Sequence, residues 1–367
     1  MDEVRAEMRA SFEGLHAAVA ELHVTTTLGQ SDLGQGMREL VDLVKTALRL
    51  ATPELGGAAF GELEKHYQDI ALSSMHGTPV GRRMVRGARR NGAPVVLKIL
   101  QRNERNQGDW AELAARTVRE GLCLFRLHGR TPFVVDIRDM GIGTFEKKLA
   151  VFLELERVPG MDLVTAGKHG LLAPERLRVL ARHLSAAVAA CHELGVFHRD
   201  VAPQNVMQRE LAGELRYLLI DFELAKTEEM APLTRTGQLP GTAGCVPPDE
   251  VLARLAPKHH APFRDVFGAA ATIYYAACGV LPTRDEAHCA EILSRTVPSE
   301  HVWLTPLVLT CLFPPADPEA RILDGPQFHE LVSHEGRRRL PGETALYQEA
   351  RELLLRATSV DELRRAA

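Results

Sequence analysis

His198-Arg199-Asp200 is followed by Asn205, five residues beyond Asp200, and by the pair Asp221-Phe222 at the end of an apolar run. A carboxylate beside an asparagine, with a second carboxylate brought in by a strand, gathers hard oxygen donors next to a general base. Such donors suit magnesium, and such a base can take the proton of a hydroxyl while a phosphoryl group moves onto it. The chemistry within reach is therefore metal-assisted phosphoryl transfer. The chain also offers Lys98, closing the run Val95-Val96-Leu97-Lys98, as a candidate cation for phosphates, and Glu120 as a further carboxylate. Each residue alone has an ordinary explanation: a lysine at a solvated strand edge, a carboxylate on a helix surface, a chance tripeptide. Their order along the chain carries the inference.

Elements of the right kind must position them. From Tyr67 the apolar period is that of strands, and Asn91-Gly92 between Val85–Arg89 and Val95–Leu100 signals a hairpin, which puts Lys98 on a strand. Trp110–Leu127 has helical spacing and carries Glu120, while Phe133–Ile137 and Leu149–Leu155 read as two further strands. Beyond Gly160 the chain turns helical. Leu177, Leu180, Leu184, Val188, Cys191 and Leu194 form one stripe, stopped by Gly195 where a helix C-cap favours glycine, and His198 follows at once. Strands first and helices second predict an α+β architecture of two lobes, with the chemical residues collected at their junction.

At both ends the spacing predicts further helices. Val4–Leu22 and Met37–Leu48 carry apolar residues three and four apart, and Ala345–Ala357 does the same near the other end. The expected organisation is a helical N-terminal extension over 1–58, a central domain over 59–335 and a helical C-terminal extension over 336–367. The 367 residues are 45% hydrophobic and 25% charged, ordinary for a globular chain, and a net charge of -4 gives no drive toward nucleic acid or membrane surfaces. The six cysteines form no C-x-x-C pair, as expected of reduced, buried thiols. The opening MDEVRAEMRA leads into no apolar stretch, and Gly268–Leu281 is too short to span a bilayer, so a cytoplasmic location is expected.

Taken in order, these segments resemble the bacterial type of serine/threonine protein kinase domain. The resemblance continues through Gly241-Thr242-Ala243-Gly244-Cys245-Val246-Pro247-Pro248-Asp249, through Asp265 and through Arg321, and covers roughly Tyr67 to Val332. It implies a bilobal protein-kinase-like fold, ATP and Mg2+ as cofactors, protein hydroxyls as substrate, and autophosphorylation. By this resemblance Lys98 contacts the α- and β-phosphates with Glu120 as its partner, Asp200 is the catalytic base, Asn205 holds one magnesium and Asp221 bridges two. Glu156 and Val158 would offer backbone hydrogen bonds to adenine, which Val85, Val96 and Met207 would sandwich. Asp265 would steady the backbone around Arg199, Arg321 would pair with Asp249, and Thr227, Thr234 and Thr236 would be phosphorylation sites. The terminal helices are expected to serve self-association or partner docking.

Three places depart from the family pattern. Gly77-Thr78-Pro79-Val80-Gly81-Arg82-Arg83 lacks G-x-G-x-x-G, Ala202 stands where serine/threonine kinases carry lysine, and Glu223 stands where almost all carry glycine. Loss of one transition-state donor costs about two to three orders of magnitude in rate, so a slowed enzyme is expected. A pseudokinase scaffold is the alternative these departures raise. Asp221-Phe222-Glu223 also resembles small-molecule phosphotransferases of the aminoglycoside and choline kinase type, which is a second alternative.

Overall fold

The computed structural model describes residues 63–73, 83–90, 92–101, 110–211, 213–227, 241–315 and 321–335. The expected terminal helices, the segment Gly77–Arg82, Asn91, Thr234 and Thr236 lie outside the described residues. Two compact units are present. One takes the described residues up to His128, Val135–Arg157 and Thr227; the other takes Gly129–Val134, Val158–Lys226 and the described residues from Gly241 onward.

The first unit is a five-stranded antiparallel sheet with one helix. Strands β1 (Gln68–Ser73), β2 (Arg83–Arg90) and β3 (Ala93–Gln101), helix α1 (Trp110–Leu127), and strands β4 (Ile137–Phe145) and β5 (Lys148–Glu156) follow in chain order, and the sheet order is β1-β2-β3-β5-β4. Alternation along β3 divides its side chains between two faces. Val95, Leu97 and Ile99 join Leu63, Tyr67, Phe145, Ala150 and Phe152 in a buried cluster, leaving Lys98 on the opposite face. On that face Lys98 is in register with Leu153, and Leu153 with Met140. A Cβ on Gly121 of α1 would come within 2.6 Å of Met140 Sδ and 2.9 Å of Leu153 Cδ2. Glycine thus lets α1 lie close over this row, and its neighbour Glu120 reaches the lysine.

One expected strand is misplaced. Phe133–Ile137 is not a strand of this sheet: β4 begins at Ile137 and runs to Phe145 through Gly141 and Gly143. Two facts hid it. The strand carries glycines, and its turn to β5 uses Glu146 and Lys147 at φ 49° and 60°, left-handed positions where glycine or asparagine is the usual signal. Phe133 and Val134 instead belong to the second unit, where Phe133 O accepts from Leu219 N (2.8 Å) and Val134 bridges Leu219 in parallel.

The second unit is mostly helical. Strand β6 (Met161–Asp162), helices α2 (Leu163–Lys168) and α3 (Leu177–Glu193), and strands β7 (Val196–Phe197), β8 (Val206–Leu211) and β9 (Glu214–Leu219) precede helices α4 (Asp249–Leu252), α5 (Pro257–Cys278), α6 (Glu286–Thr296), α7 (Leu304–Leu312) and α8 (Gly325–Ser333). Leu177, Leu180, Leu184, Val188 and Cys191 of the expected stripe are buried on α3, Leu194 caps the helix half-buried, and Gly195 at φ 65° follows, its N–H donating to His192 O. Residues from Gln208 onward form the β8/β9 hairpin, turned at Gly213 (φ 81°), so the two carboxylate segments are joined by a continuous ladder. Helix α5 is buried without a break from Pro262 to Tyr274. At Gly268 it lies close against the residue after the His-Arg-Asp triplet, since a Cβ there would meet Val201 O at 2.4 Å. Among the described residues no helix is long and apolar enough to cross a membrane.

His183, on α3, stacks on Phe133 with ring centroids 4.2 Å apart, and its Nδ1 accepts from Tyr217 N (3.3 Å). Burial, then the positive charge of Arg216, pushes its pKa down from 6.5 to about 4, and burial also lowers that of His329. Between those values the unfolded chain binds more protons than the folded one, so stability rises with pH over this window and is lost as pH falls through it. Urea unfolding midpoints are expected to climb between about pH 4 and 6.5, and His183→Asn, which keeps an acceptor but cannot titrate, should flatten the slope. An unchanged slope in that variant would exclude His183 as a source.

Candidate active site

In the first unit Lys98 Nζ donates to Glu120 Oε1 at 2.7 Å, with only 6% of the lysine and 1% of the glutamate exposed. A buried pair of this length is held by strand register on one side and by the close helix on the other. Val85 is in register with Lys98, and Val96, half-buried, with Gly87. Glu156 ends β5, and its N–H donates to Asp136 O (2.8 Å), so a main-chain hydrogen bond from this residue to a ligand must come from its carbonyl. The chain passes to the second unit between Arg157 and Val158.

The second unit assembles the other residues through backbone bonds. Val206 pairs with Leu219 at the end of the β8/β9 ladder, and Ile220 N then donates to Asn205 O (2.9 Å). Ile220 O accepts from His198 Nε2 (3.0 Å). Both polar groups of the residue before Asp221 are thus taken by the loop that carries Asp200 and Asn205. His198 Nδ1 accepts from Asp200 N (3.3 Å), which fixes the ring proton on Nε2, and the ring meets Phe222 edge-on at 4.6 Å. Met207, half-buried on β8, pairs with Leu218 and Asp162.

Arg199 and Asp221 have φ of 66° and 64°, left-handed backbone that costs a non-glycine residue about 1–3 kcal/mol unless its surroundings impose it. At Arg199 both peptide groups are clamped. Asp265, fully buried at the centre of α5, accepts from His198 N (2.7 Å) and Arg199 N (2.6 Å), and Arg264 Nη2 donates to Arg199 O (3.0 Å). His192 Nε2 donates a third bond to Asp265 (3.0 Å), while its Nδ1 accepts from Gly325 N at the start of α8 (2.7 Å). Burial alone would raise the Asp265 carboxyl; the hydrogen bond and charge of His192, with His198 and the Arg199 amide, outweigh it and hold the group below its ordinary value. Burial, then the like charge of Arg199, lowers Arg264 to about 10.

The Asp200 carboxylate is held at both oxygens. Thr242 donates to Oδ1 from its N–H (2.8 Å) and its hydroxyl (2.9 Å), and Asn205 Nδ2 donates to Oδ2 (3.0 Å) and to Asp200 O (2.8 Å). Cys245 lies close by, its thiol pushed up to about 12 by burial and by the Asp200 charge. Because Asn205 spends its NH2 on Asp200, its amide oxygen is the atom left for a cation. Asn205 and Asp221 thus fit a hard, oxygen-seeking ion. Magnesium is such an ion: it takes few protein ligands and completes its shell with phosphate and water.

Some expectations are altered. Glu223 is not among the residues at positive φ; the left-handed position falls on Asp221, so glutamate replaces glycine here without backbone strain. Thr227 is 2% exposed, which removes it as an accessible phosphorylation site in this conformation. Arg321 donates to Arg254 O (3.0 Å) and Pro315 O (2.8 Å), anchoring the chain just after α4, the helix that Asp249 begins. His192, Arg264 and the bond from Gln204 to Thr242 were not anticipated. His192 was submerged in the α3 stripe, whereas Arg264 stands beside Asp265 and its position was a usable signal.

One unit thus holds a buried lysine–glutamate pair against a five-stranded sheet, and the other a clamped His-Arg-Asp loop among helices. Residues 83–318 match the family model described as protein kinase domain, and the chain belongs to the protein kinase family. It is similar to the serine/threonine-protein kinase PkaA of Streptomyces coelicolor, 32% identical over 192 residues, which is 52% of this chain and 33% of that one. PkaB of the same organism is 32% identical over 210 residues (56% and 47%), and PknD of Mycobacterium tuberculosis 33% over 156 residues (42% and 22%). The matched region spans less than half the length of each of these relatives.

Proposed function

We propose that this chain is an ATP- and Mg2+-dependent kinase that transfers the γ-phosphate to serine or threonine hydroxyls of proteins, itself included. The observation that carries this reading is the Asp200 carboxylate, fixed by Thr242 and Asn205 on a loop whose strained backbone is clamped by Asp265 and Arg264. Strain maintained at this cost is what a working site retains. In this reading Lys98, held by Glu120, binds the α- and β-phosphates; Asn205 and Asp221 are the magnesium ligands; Asp200 takes the hydroxyl proton. Magnesium, when bound, neutralises phosphate charge. Glu156, Val158, Val85, Val96 and Met207 receive the adenine. The kinship with serine/threonine-protein kinases and the bond from Thr242 to Asp200 support hydroxyl substrates of the serine/threonine kind. The family match favours a protein kinase over a small-molecule phosphotransferase. The extensions over 1–58 and 336–367 serve docking or self-association, and the free state of all six cysteines supports a reducing, cytoplasmic setting.

The test is mass spectrometry of the purified chain after incubation with ATP and Mg2+, with Asp200→Asn alongside. Phosphorylated serine or threonine is expected in the wild type, with general-base loss lowering the rate about 10²–10⁴-fold in the variant. Equal and absent labelling in both, with no thermal stabilisation by ATP and Mg2+, would instead support the scaffold alternative.

A further inference from the structure

The hydroxyl of Thr242 has one proton, and the structure spends it on Asp200 Oδ1 (2.9 Å). Its oxygen must then act as an acceptor toward any other partner, and that partner is Gln204, whose Nε2 donates to it. Only the NH2 end of an amide can make this bond, so the orientation of the Gln204 side chain follows from the network. Gln204 is the middle residue of the 3₁₀ turn Pro203–Asn205; its two neighbours are buried and it is exposed. Ala202, just before the turn, is buried and has no polar side chain to offer.

We propose that Gln204 is a positioning residue for the base: by donating to Thr242 Oγ1 it turns the Thr242 proton onto Asp200 Oδ1, leaving Oδ2 to accept the substrate proton. Counting lone pairs gives this result. A carboxylate oxygen has two acceptor sites, and Oδ1 fills both with the N–H and hydroxyl of Thr242. Oδ2 fills one with Asn205 Nδ2 and keeps one open. The inference rests on the kinase reading above. In the transfer, the substrate oxygen bonds to the γ-phosphorus, the bond from that phosphorus to the bridging oxygen breaks with its electron pair leaving on ADP, and the hydroxyl proton goes to Oδ2.

Gln204→Ala and Gln204→Glu remove the donor, whereas Gln204→Lys keeps one. With full-length protein and a general protein substrate, the first two are expected to lose about tenfold in kcat, near the 1.4 kcal/mol of one directed hydrogen bond, with KM for ATP unchanged. Gln204→Lys should recover kcat to within about threefold. Full activity in Gln204→Ala, or a loss in Gln204→Lys as large as that in Gln204→Glu, overturns the proposal. A second readout needs no activity: NMR couplings of Thr242 should report one rotamer in the wild type and Gln204→Lys, and averaging in Gln204→Ala. A single unchanged rotamer in Gln204→Ala overturns the proposal even if the wild type transfers no phosphate, an outcome that by itself would reject only the kinase reading.

Discussion

Asp265→Ala is expected to cost about 3–5 kcal/mol of folding stability, the scale for removing one partner from a buried charged network, and to reduce phosphate transfer below detection. The carboxylate is fully buried and accepts from His198 N, Arg199 N and His192 Nε2, so its loss leaves two main-chain donors and an imidazole without their acceptor. The same deletion releases one side of the left-handed Arg199 backbone (φ 66°), which then relaxes and carries Asp200 with it. Asp265→Asn, which keeps an acceptor oxygen, should lie between the two. Acid titration gives an independent check. Because the folded-state pKa of Asp265 is held below 3.8, its contribution is fully present above the unfolded value and is lost as pH falls through the folded one. Below about pH 4 the wild type should therefore approach the stability of Asp265→Ala. Equal urea midpoints for the two proteins at neutral pH would refute the argument.

What the sequence disclosed, and what it withheld, follows the range of the interactions. Helix α1 and the β2/β3 hairpin were legible because their signals are local: helical spacing over Trp110–Leu127, and Asn91-Gly92 between alternating apolar residues. Strand β4 was not, because its glycines and its Glu146-Lys147 turn are set by neighbours in the sheet rather than by propensity. Lys98 and Glu120 in one unit, and Asp200, Asn205, Asp221 and Asp265 in the other, were singled out by their order along the chain. The supporting bonds from His192 and Gln204 were not, since each spans a distance in sequence that no motif encodes, and that from Arg264 was signalled only by its place beside Asp265. Glu223 is the instructive case. It stands where the family pattern carries glycine, yet the backbone places the left-handed residue at Asp221, a conformation that short polar side chains tolerate better than most.

The second large effect lies at the Lys98–Glu120 pair. With side chains 8% and 0% exposed, both charges are desolvated, and their mutual attraction at 2.7 Å is what compensates. Glu120→Ala should therefore destabilise the protein by about 3–5 kcal/mol, and Lys98→Met by a similar amount. The double variant Lys98→Met/Glu120→Leu removes both charges and keeps the volume, so it should recover most of the wild-type unfolding midpoint. Activity should behave differently. Every protein lacking the lysine should transfer phosphate at least about 10²-fold more slowly, the scale for losing a preorganised cation at a developing charge, whatever its stability. High salt should change the unfolding midpoint little, since buried pairs are poorly screened. A stable double variant that transfers phosphate at the wild-type rate would separate Lys98 from catalysis; a double variant no more stable than Glu120→Ala would show that desolvation is not what the pair offsets.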